Sequence, residues 1–371
     1  MRLEPGPRHR ALRDAVRELA QSTVRAHAAA VDRDRRFPRE SIAAARELDL
    51  MGILIPAEYG GAGHDLLALA ICVEELAREC ASTAVIVDVH NSVATEPIVL
   101  YGTDEQRRAW LPRLASGELL GAFALTEPTS GSDAAALRTT ARRCGDEWVL
   151  TGTKVFITNV GDAGLYLVFA RTGPEPRAAG VSAFLVPAES DGLRVGQVFD
   201  KMGLHGSPTG ELVLEEVRVP AANLLHEQGR GFGVAMRALD SGRIGISGQA
   251  LGIAGAAVAG AIEDSGPAPE QGVAFQLADM ATRLVAARQL AYHAAALAGA
   301  GRPFTREASM AKLFCTDTAM DLASEAAQLA GEGGCLVGSA ADRRFRDAKA
   351  LQIYEGSNQV QRVVIARQVL A

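Results

Sequence analysis

The sequence predicts an α+β, mainly α fold in three consecutive parts: a helical domain over residues 1–119, a barrel-like antiparallel β domain over 120–229, and a second helical domain over 230–371. Three observations predict it. In the first third, apolar residues recur at three- and four-residue steps, as in 41–48 and 66–76. Between Gly121 and Gly229 the pattern changes to short β-branched and aromatic runs broken by Gly, Pro and Asp-Gly pairs. Beyond Gly229, long Ala/Leu-rich stretches return, with Leu277, Met280, Leu284 and Ala287 tracing one helical face.

Within the first part, turn signals at 58–63 and 101–104 separate helices, and Asp104 reads as the cap of a helix through Leu114. In the second, strands are expected at 147–150, 166–170, 182–186, 193–198 and 211–219, an antiparallel set with no βαβ repeat. In the third, breaks fall at 265–271 and 331–339. The spaced glycines of 229–233 and 331–334 follow no strand-turn-helix context, so a dinucleotide fingerprint is not supported.

Bulk properties exclude several classes. With 371 residues, 48% hydrophobic and 22% charged, the chain has room for two or three ordinary cores. A net charge of −6 argues against nucleic acid as a partner. The five cysteines (72, 80, 144, 315 and 335) show no metal-type spacing, so no metal is expected and the thiols read as reduced, in a cytoplasmic protein. Residues 1–8 precede no apolar stretch, so no secretory signal is expected. The one membrane candidate, 244–262, holds five glycines and Gln249. That composition is poor for the ~20 residues a span needs, and suits two helices in close approach.

Glu355 carries the most information. It stands in Gln352-Ile353-Tyr354-Glu355-Gly356-Ser357-Asn358-Gln359-Val360-Gln361-Arg362, at the apparent start of the last helix. Alone, an acid in a first helical turn is an ordinary dipole partner. The segment nevertheless resembles the catalytic segment of the acyl-CoA dehydrogenase family, Tyr-Glu-Gly-(Thr/Ser)-x-x-x-Gln-Arg. Five further segments match that family in order: Phe123 through Leu125-Thr126-Glu127-Pro128 to Gly131-Ser132-Asp133, Gly152-Thr153-Lys154-Val155-Phe156-Ile157-Thr158-Asn159, Lys201-Met202-Gly203, Leu239-Asp240-Ser241-Gly242-Arg243, and Arg346-Asp347-Ala348-Lys349. The resemblance runs from about residue 10 to the end.

The resemblance implies a C-terminal four-helix bundle, FAD as cofactor, and removal of an acyl-thioester α-proton by Glu355 while the flavin takes the β-hydride. A base of this kind is strengthened by burial, and developing enolate charge needs hydrogen-bond donors at the thioester carbonyl. In the family, the glutamate's own amide is one such donor. Some members carry the base where this chain has Gly242, which cannot serve. The resemblance also implies flavin contacts by Phe123, Leu125, Thr126, Gly131, Ser132, Phe156 (for the usual Trp), Ile157, Thr158, Ser357 and Gln359. Gln271, Gln328 and Gly331 fall where the family reaches a neighbouring subunit's FAD. Ser132, Asp240, Arg243 and Gly356 fall on thioester contacts, although Arg243 equally suits an ion pair with Asp240. Lys154 joins Thr158 and Asn159 in favouring a flavin strand over a plain one.

Two departures stand out. The usual Arg-x-x-Phe-Gly loop is replaced by Glu263-Asp264-Ser265-Gly266-Pro267-Ala268-Pro269-Glu270, and Glu332 enters the usual glycine stretch. His90, Asn91 and Ser92, with Thr95 and Glu96, fall on the helix lining the acyl pocket; an unpaired Glu96 there would favour short or polar acyl groups. The implied partners are an acyl-CoA, an electron-transfer flavoprotein as acceptor, and a second copy or more in a homodimer or homotetramer. Alternatives are an acyl group on a carrier protein, a flavin-poor or non-redox member of the fold, and oxygen chemistry, against which Glu355 tells.

Overall fold

A computed structural model describes residues 5–370. Met1 to Glu4 and Ala371, at the ends of the expected first and last domains and within the segment read for a secretory signal, lie outside the described residues. The N-terminal helices are α1 (Pro7–Leu19), α2 (Arg25–Asp34), α3 (Arg39–Glu47), α4 (Leu66–Glu79), α5 (Ala81–Val89), α6 (Glu96–Tyr101) and α7 (Asp104–Ala115). A π-helical stretch, His90–Thr95, joins α5 to α6. The cap of α7 is Thr103, not Asp104. Thr103 and Gln106 form a reciprocal capping box, while Gln106 Nε2 also donates to the carbonyls of Ala222 and Leu224. One capping residue therefore also ties helix to sheet.

The sheet has eight strands: β1 (Gly121–Ala124), β2 (Thr140–Cys144), β3 (Glu147–Thr158), β4 (Leu165–Arg171), β5 (Val181–Pro187), β6 (Leu193–Val198), β7 (Thr209–Pro220) and β8 (Leu224–Leu225). Their order is β6-β7-β3-β2-β4-β5-β8, with β1 beside β4. The expected antiparallel set needs one correction: β1 runs parallel to β4, and β2 meets β4 in a parallel bridge. β1, β2 and β8 gave no strand signal. Gly121-Ala122-Phe123-Ala124 is small-sided, Thr140–Cys144 is mostly exposed and polar, and β8 is two residues long.

The C-terminal helices are α8 (Gly231–Asp264), α9 (Gln271–Gly299), α10 (Thr305–Leu329), α11 (Ala340–Leu351) and α12 (Asn358–Val369). α8 is long and apolar enough to cross a membrane, but 89% of its most apolar window is buried inside the fold. Its glycines explain that burial. A Cβ at Gly248 would lie 2.5 Å from the Ala70 carbonyl oxygen, and one at Gly252 would overlap that of Glu74. α4 and α8 thus touch backbone to backbone, and one apolar core runs from α1 through α4 and α8 to α10.

Candidate active site

Residues 352–357 form an irregular turn between α11 and α12, and Glu355 lies in it rather than in the first turn of a helix. Ser357 is the cap of α12, its Oγ accepting from Val360 N at 3.4 Å. Glu355 is left-handed at φ 53° and Gly356 at φ 83°. A non-glycine residue there is strained and persists only where surroundings over-determine it. They do so here. Lys312 Nζ, fully buried on α10, donates to Gly356 O at 2.8 Å and Asn358 Oδ1 at 2.9 Å. Gln361 Nε2 donates to Glu355 O and Gly356 O at 3.2 and 2.8 Å.

This turn aims the Glu355 carboxyl at α8. A Cβ at Gly242 would stand 2.9 Å from both Glu355 Oε2 and Val93 Cγ1, so a side chain there would crowd the carboxyl, and glycine leaves it room. Oε2 is buried and has no hydrogen-bond partner among the described residues. Burial pushes the Glu355 carboxyl up to about 7, against the nearby positive charges of Arg243 and Lys312. An acid poised near neutrality is a matched general base. Its own amide donates to no acceptor among the described residues, so it is free for a ligand carbonyl.

The second half of the site is built on β1 and β3. Buried Lys154 donates to Glu127 Oε1 at 2.8 Å and to Leu125 O at 3.1 Å, while Glu127 also accepts the amides of Arg138 and Thr139. Burial raises Glu127, but Lys154 and the hydrogen bonds from Thr139 and Arg138 together hold the carboxyl below its usual value; burial brings Lys154 down to about 8. Lys154 therefore shapes the 125–127 bend from behind. Thr126 O accepts from Val155 N at 2.9 Å, fastening the bend to β3. His90 fixes the start of β1: its Nδ1 accepts from Gly121 N and Nε2 donates toward Met51 O and Leu114 O. Asn91 donates to Leu50 O and Val87 O. Both side chains, expected on the acyl pocket, brace the framework.

The register of β3 against β7 slips between Lys154 and Ile157, and Phe156 sits in the slip at φ 58° with 66% of its surface exposed. Such bulges re-aim side chains. Its ring leans on Phe199 at 5.0 Å, whereas Ile157 points into the sheet core, leaving only its backbone for the site. Phe123 and Thr158 are half-buried, Leu125 is buried, and Gly131 and Ser132 are exposed. An aromatic platform held out on a strained bulge, beside the half-buried Thr126, fits a flat heteroaromatic group. The exposed glycine and hydroxyl of 131–132 suit its polar tail.

Asp240 and Arg243 form the ion pair that the sequence left open, at 2.5 Å, and Thr305 Oγ1 also donates to Asp240 at 2.5 Å. Among the described residues, Arg243 Nε has no acceptor. Glu96 is not unpaired: Arg237 donates to its Oε1 at 3.0 Å and stacks on Phe304, and only Oε2 lacks a partner among the described residues. The Val155 N–Thr126 O bond and the Lys154 and Asn159 side chains bring Phe123, Leu125 and Thr126 to Phe156 and Thr158 on β3, while α8, α10 and the 352–357 turn gather Asp240, Arg243, Glu355, Gly356 and Ser357. Gln359 is exposed on α12. Gln271, Gln328 and Gly331 are exposed on α9, at the end of α10 and on the following turn, with no hydrogen bond to either group.

Sequence reasoning missed Lys312, for which a signal existed. Lys occurs only at 154, 201, 312 and 349 in a chain otherwise using Arg, and the first three lose surface to packing. At 312 a compact ammonium with rotatable donors reaches both Gly356 O and Asn358 Oδ1. The Arg346-Asp347 segment is structural. Arg346 pairs with Asp32 and Asp342, and Asp347 accepts from Leu204 N at 2.5 Å, fixing the corner where all three parts meet.

Comparison with known proteins covers nearly the whole chain. Family models match residues 6–118 (acyl-CoA dehydrogenase, N-terminal domain), 122–217 (middle domain) and 229–370 (C-terminal domain). An acyl-CoA dehydrogenase of Bacillus subtilis is 45% identical over 97% of both chains. The mitochondrial short-chain specific acyl-CoA dehydrogenase of Bos taurus is 44% identical over 98% of this chain and 90% of its own. The solved butyryl-CoA dehydrogenase of Megasphaera elsdenii superposes with a TM-score of 0.97 at 38% identity, covering 100% of each chain. With the fold, the half-buried glutamate and the aromatic bulge already in place, these matches assign the chain to the acyl-CoA dehydrogenase family of FAD enzymes.

Proposed function

We propose that the chain oxidises a short acyl-CoA to its 2,3-enoyl thioester, with Glu355 as the α-proton base. The observation that carries this reading is the Glu355 carboxyl: its Oε2 buried and without a partner among the described residues, raised toward neutrality and locked over Gly242. Its carboxylate takes the α-proton, and its free amide, with Gly356 alongside, meets the thioester oxygen and stabilises enolate charge. Phe123, Leu125, Thr126, Gly131, Ser132, Phe156, Ile157 (by its backbone), Thr158, Ser357 and Gln359 hold the FAD. FAD supplies the acceptor for the β-hydride when bound. Asp240 and Arg243, with Ser132, orient the thioester arm.

The relatives named as short-chain and butyryl-CoA dehydrogenases support a short acyl group. Family resemblance supports an electron-transfer flavoprotein as acceptor, a homodimer or homotetramer, and a cytoplasmic location. The exposure of Gln271, Gln328 and Gly331 agrees with their reaching a second chain. The test is a visible spectrum of the purified protein, then anaerobic titration with acyl-CoA thioesters of graded length. A flavin spectrum bleached most rapidly by short chains is expected. A colourless protein, or flavin that no acyl thioester bleaches, would refute the reading.

A further inference from the structure

Gly242 and Gly245 lie one turn apart on α8, and a carboxyl lies over each. Glu355 covers Gly242, and a Cβ at Gly245 would overlap Asp88 Oδ1. Residues three apart on a helix place their Cβ positions about 5–6 Å from each other, so the two carboxyls are neighbours over one stretch of α8. Asp88, on α5, is 1% exposed, and neither of its carboxyl oxygens has a partner among the described residues. The nearby Ser92 hydroxyl is committed to the Asp88 main-chain carbonyl at 2.8 Å.

The charges around the pair are unequal. The titratable groups facing Asp88 are Glu355 and Tyr354, which carry either negative charge or none, and the Tyr354 hydroxyl is engaged by Gln249 Oε1. Glu355 faces Arg243 and Lys312. Burial, and then the neighbouring Glu355, push the Asp88 carboxyl well above its usual range. A buried carboxylate without partners is expensive, so Asp88 keeps its proton, and a protonated carboxyl is a donor in need of an acceptor. Glu355 Oε2 is a neighbouring acceptor that also lacks a partner among the described residues.

We infer that Asp88 is a positioning residue for the base: the two carboxyls share one proton, held on Asp88 and donated to the Glu355 carboxylate. The pair then ionises in two steps that belong to both groups. The working form is the monoanion, with its charge on Glu355 beside Arg243 and Lys312 and its proton on Asp88. Asp88 neither touches the substrate nor moves a proton in the reaction; it fixes where the Glu355 carboxylate points and eases its first ionisation. The inference rests on the reading of Glu355 as the base.

The test uses the oxidised holoenzyme and its Asp88→Asn and Asp88→Ser variants, each checked for bound flavin. Infrared difference spectra across a pH titration report buried protonated carboxyls without any substrate. At neutral to mildly alkaline pH, a protonated-carboxyl band is expected in the wild type and in Glu355→Gln, and its loss in both Asp88 variants. In anaerobic flavin reduction by a short acyl-CoA, the acid limb should move to higher pH by about one to two units in Asp88→Ser, and less in Asp88→Asn, which keeps a donor. A band that survives in both Asp88 variants, or acid limbs unmoved in both, overturns the inference. If no acyl thioester reduces the wild type, the base reading fails, and the infrared band still decides whether the two carboxyls share a proton.

Discussion

Glu355 holds its carboxyl in a backbone conformation that costs on the order of 1–3 kcal/mol, and the residues repaying that strain are Lys312 and Gln361. Replacing Lys312 with Met keeps the length and removes the donors to Gly356 O and Asn358. We expect a loss of about 1–3 kcal/mol in denaturant unfolding, the usual scale for hydrogen bonds from a charged donor, with Gln361 still donating to Gly356 O and Thr316 to Asn358 Oδ1. The acid limb of flavin reduction should also move to higher pH, because Lys312 is one of two cations holding the Glu355 carboxyl down. For the wild type the base works ionised, so reduction by substrate should rise with pH through about 7 in a stopped-flow series. The sign for stability is opposite. A carboxyl raised on folding contributes stability that is present below the ordinary carboxylate range and is lost as pH rises through about 7. The Glu355 segment was legible through its neighbours in sequence. Its left-handed turn was not, because nothing local in Tyr354-Glu355-Gly356 demands it; the demand comes from Lys312 on α10. The alternatives left open at Arg243 and Glu96 turned on which charge stands opposite, which spacing along the chain does not reveal.

At the scale of elements, α8 decides the architecture, and its small residues were readable as a close-approach surface from composition alone. What composition does not give is the partner: Ala70 and Glu74 on α4. Gly248→Ala should therefore lower stability by about 1–3 kcal/mol through overpacking, although alanine is the better helix former by about 1 kcal/mol. Gly233→Ala, at a position of α8 with open space, is the control and should be neutral or stabilising. Thermal unfolding of the two variants separates packing from propensity; equal shifts would contradict the close-approach account. The strands that sequence did not show have a common cause. β1 is held by His90, Asn159 and its pairing with β4, all distant in sequence, so its four small or aromatic residues need no strand propensity of their own.

For the whole molecule, a single core joins the N-terminal helices to α8–α10, and the Arg346 corner ties both to the sheet, so the two halves of the site are held by most of the chain. The connection between α8 and α9 is short, with Pro267, Pro269 and Glu270 where the family places an arginine loop. Losing a charge-assisted hydrogen bond to a phosphate removes roughly 1.5–3 kcal/mol, about one to two decades of affinity. We expect an oligomer whose flavin dissociates on dilution, measured as flavin occupancy against protein concentration with mass by light scattering; full occupancy at nanomolar protein would show other contacts replacing the loop. On the proposed reading, the site sets the Glu355 carboxylate over Gly242 of α8 as the base. The most direct test is anaerobic stopped-flow reduction of Glu355→Gln by a short acyl-CoA. The variant should keep its flavin and lose reduction by ~10²–10⁴-fold or more, as befits removal of a general base. Reduction at a near wild-type rate would place the base elsewhere and contradict the account.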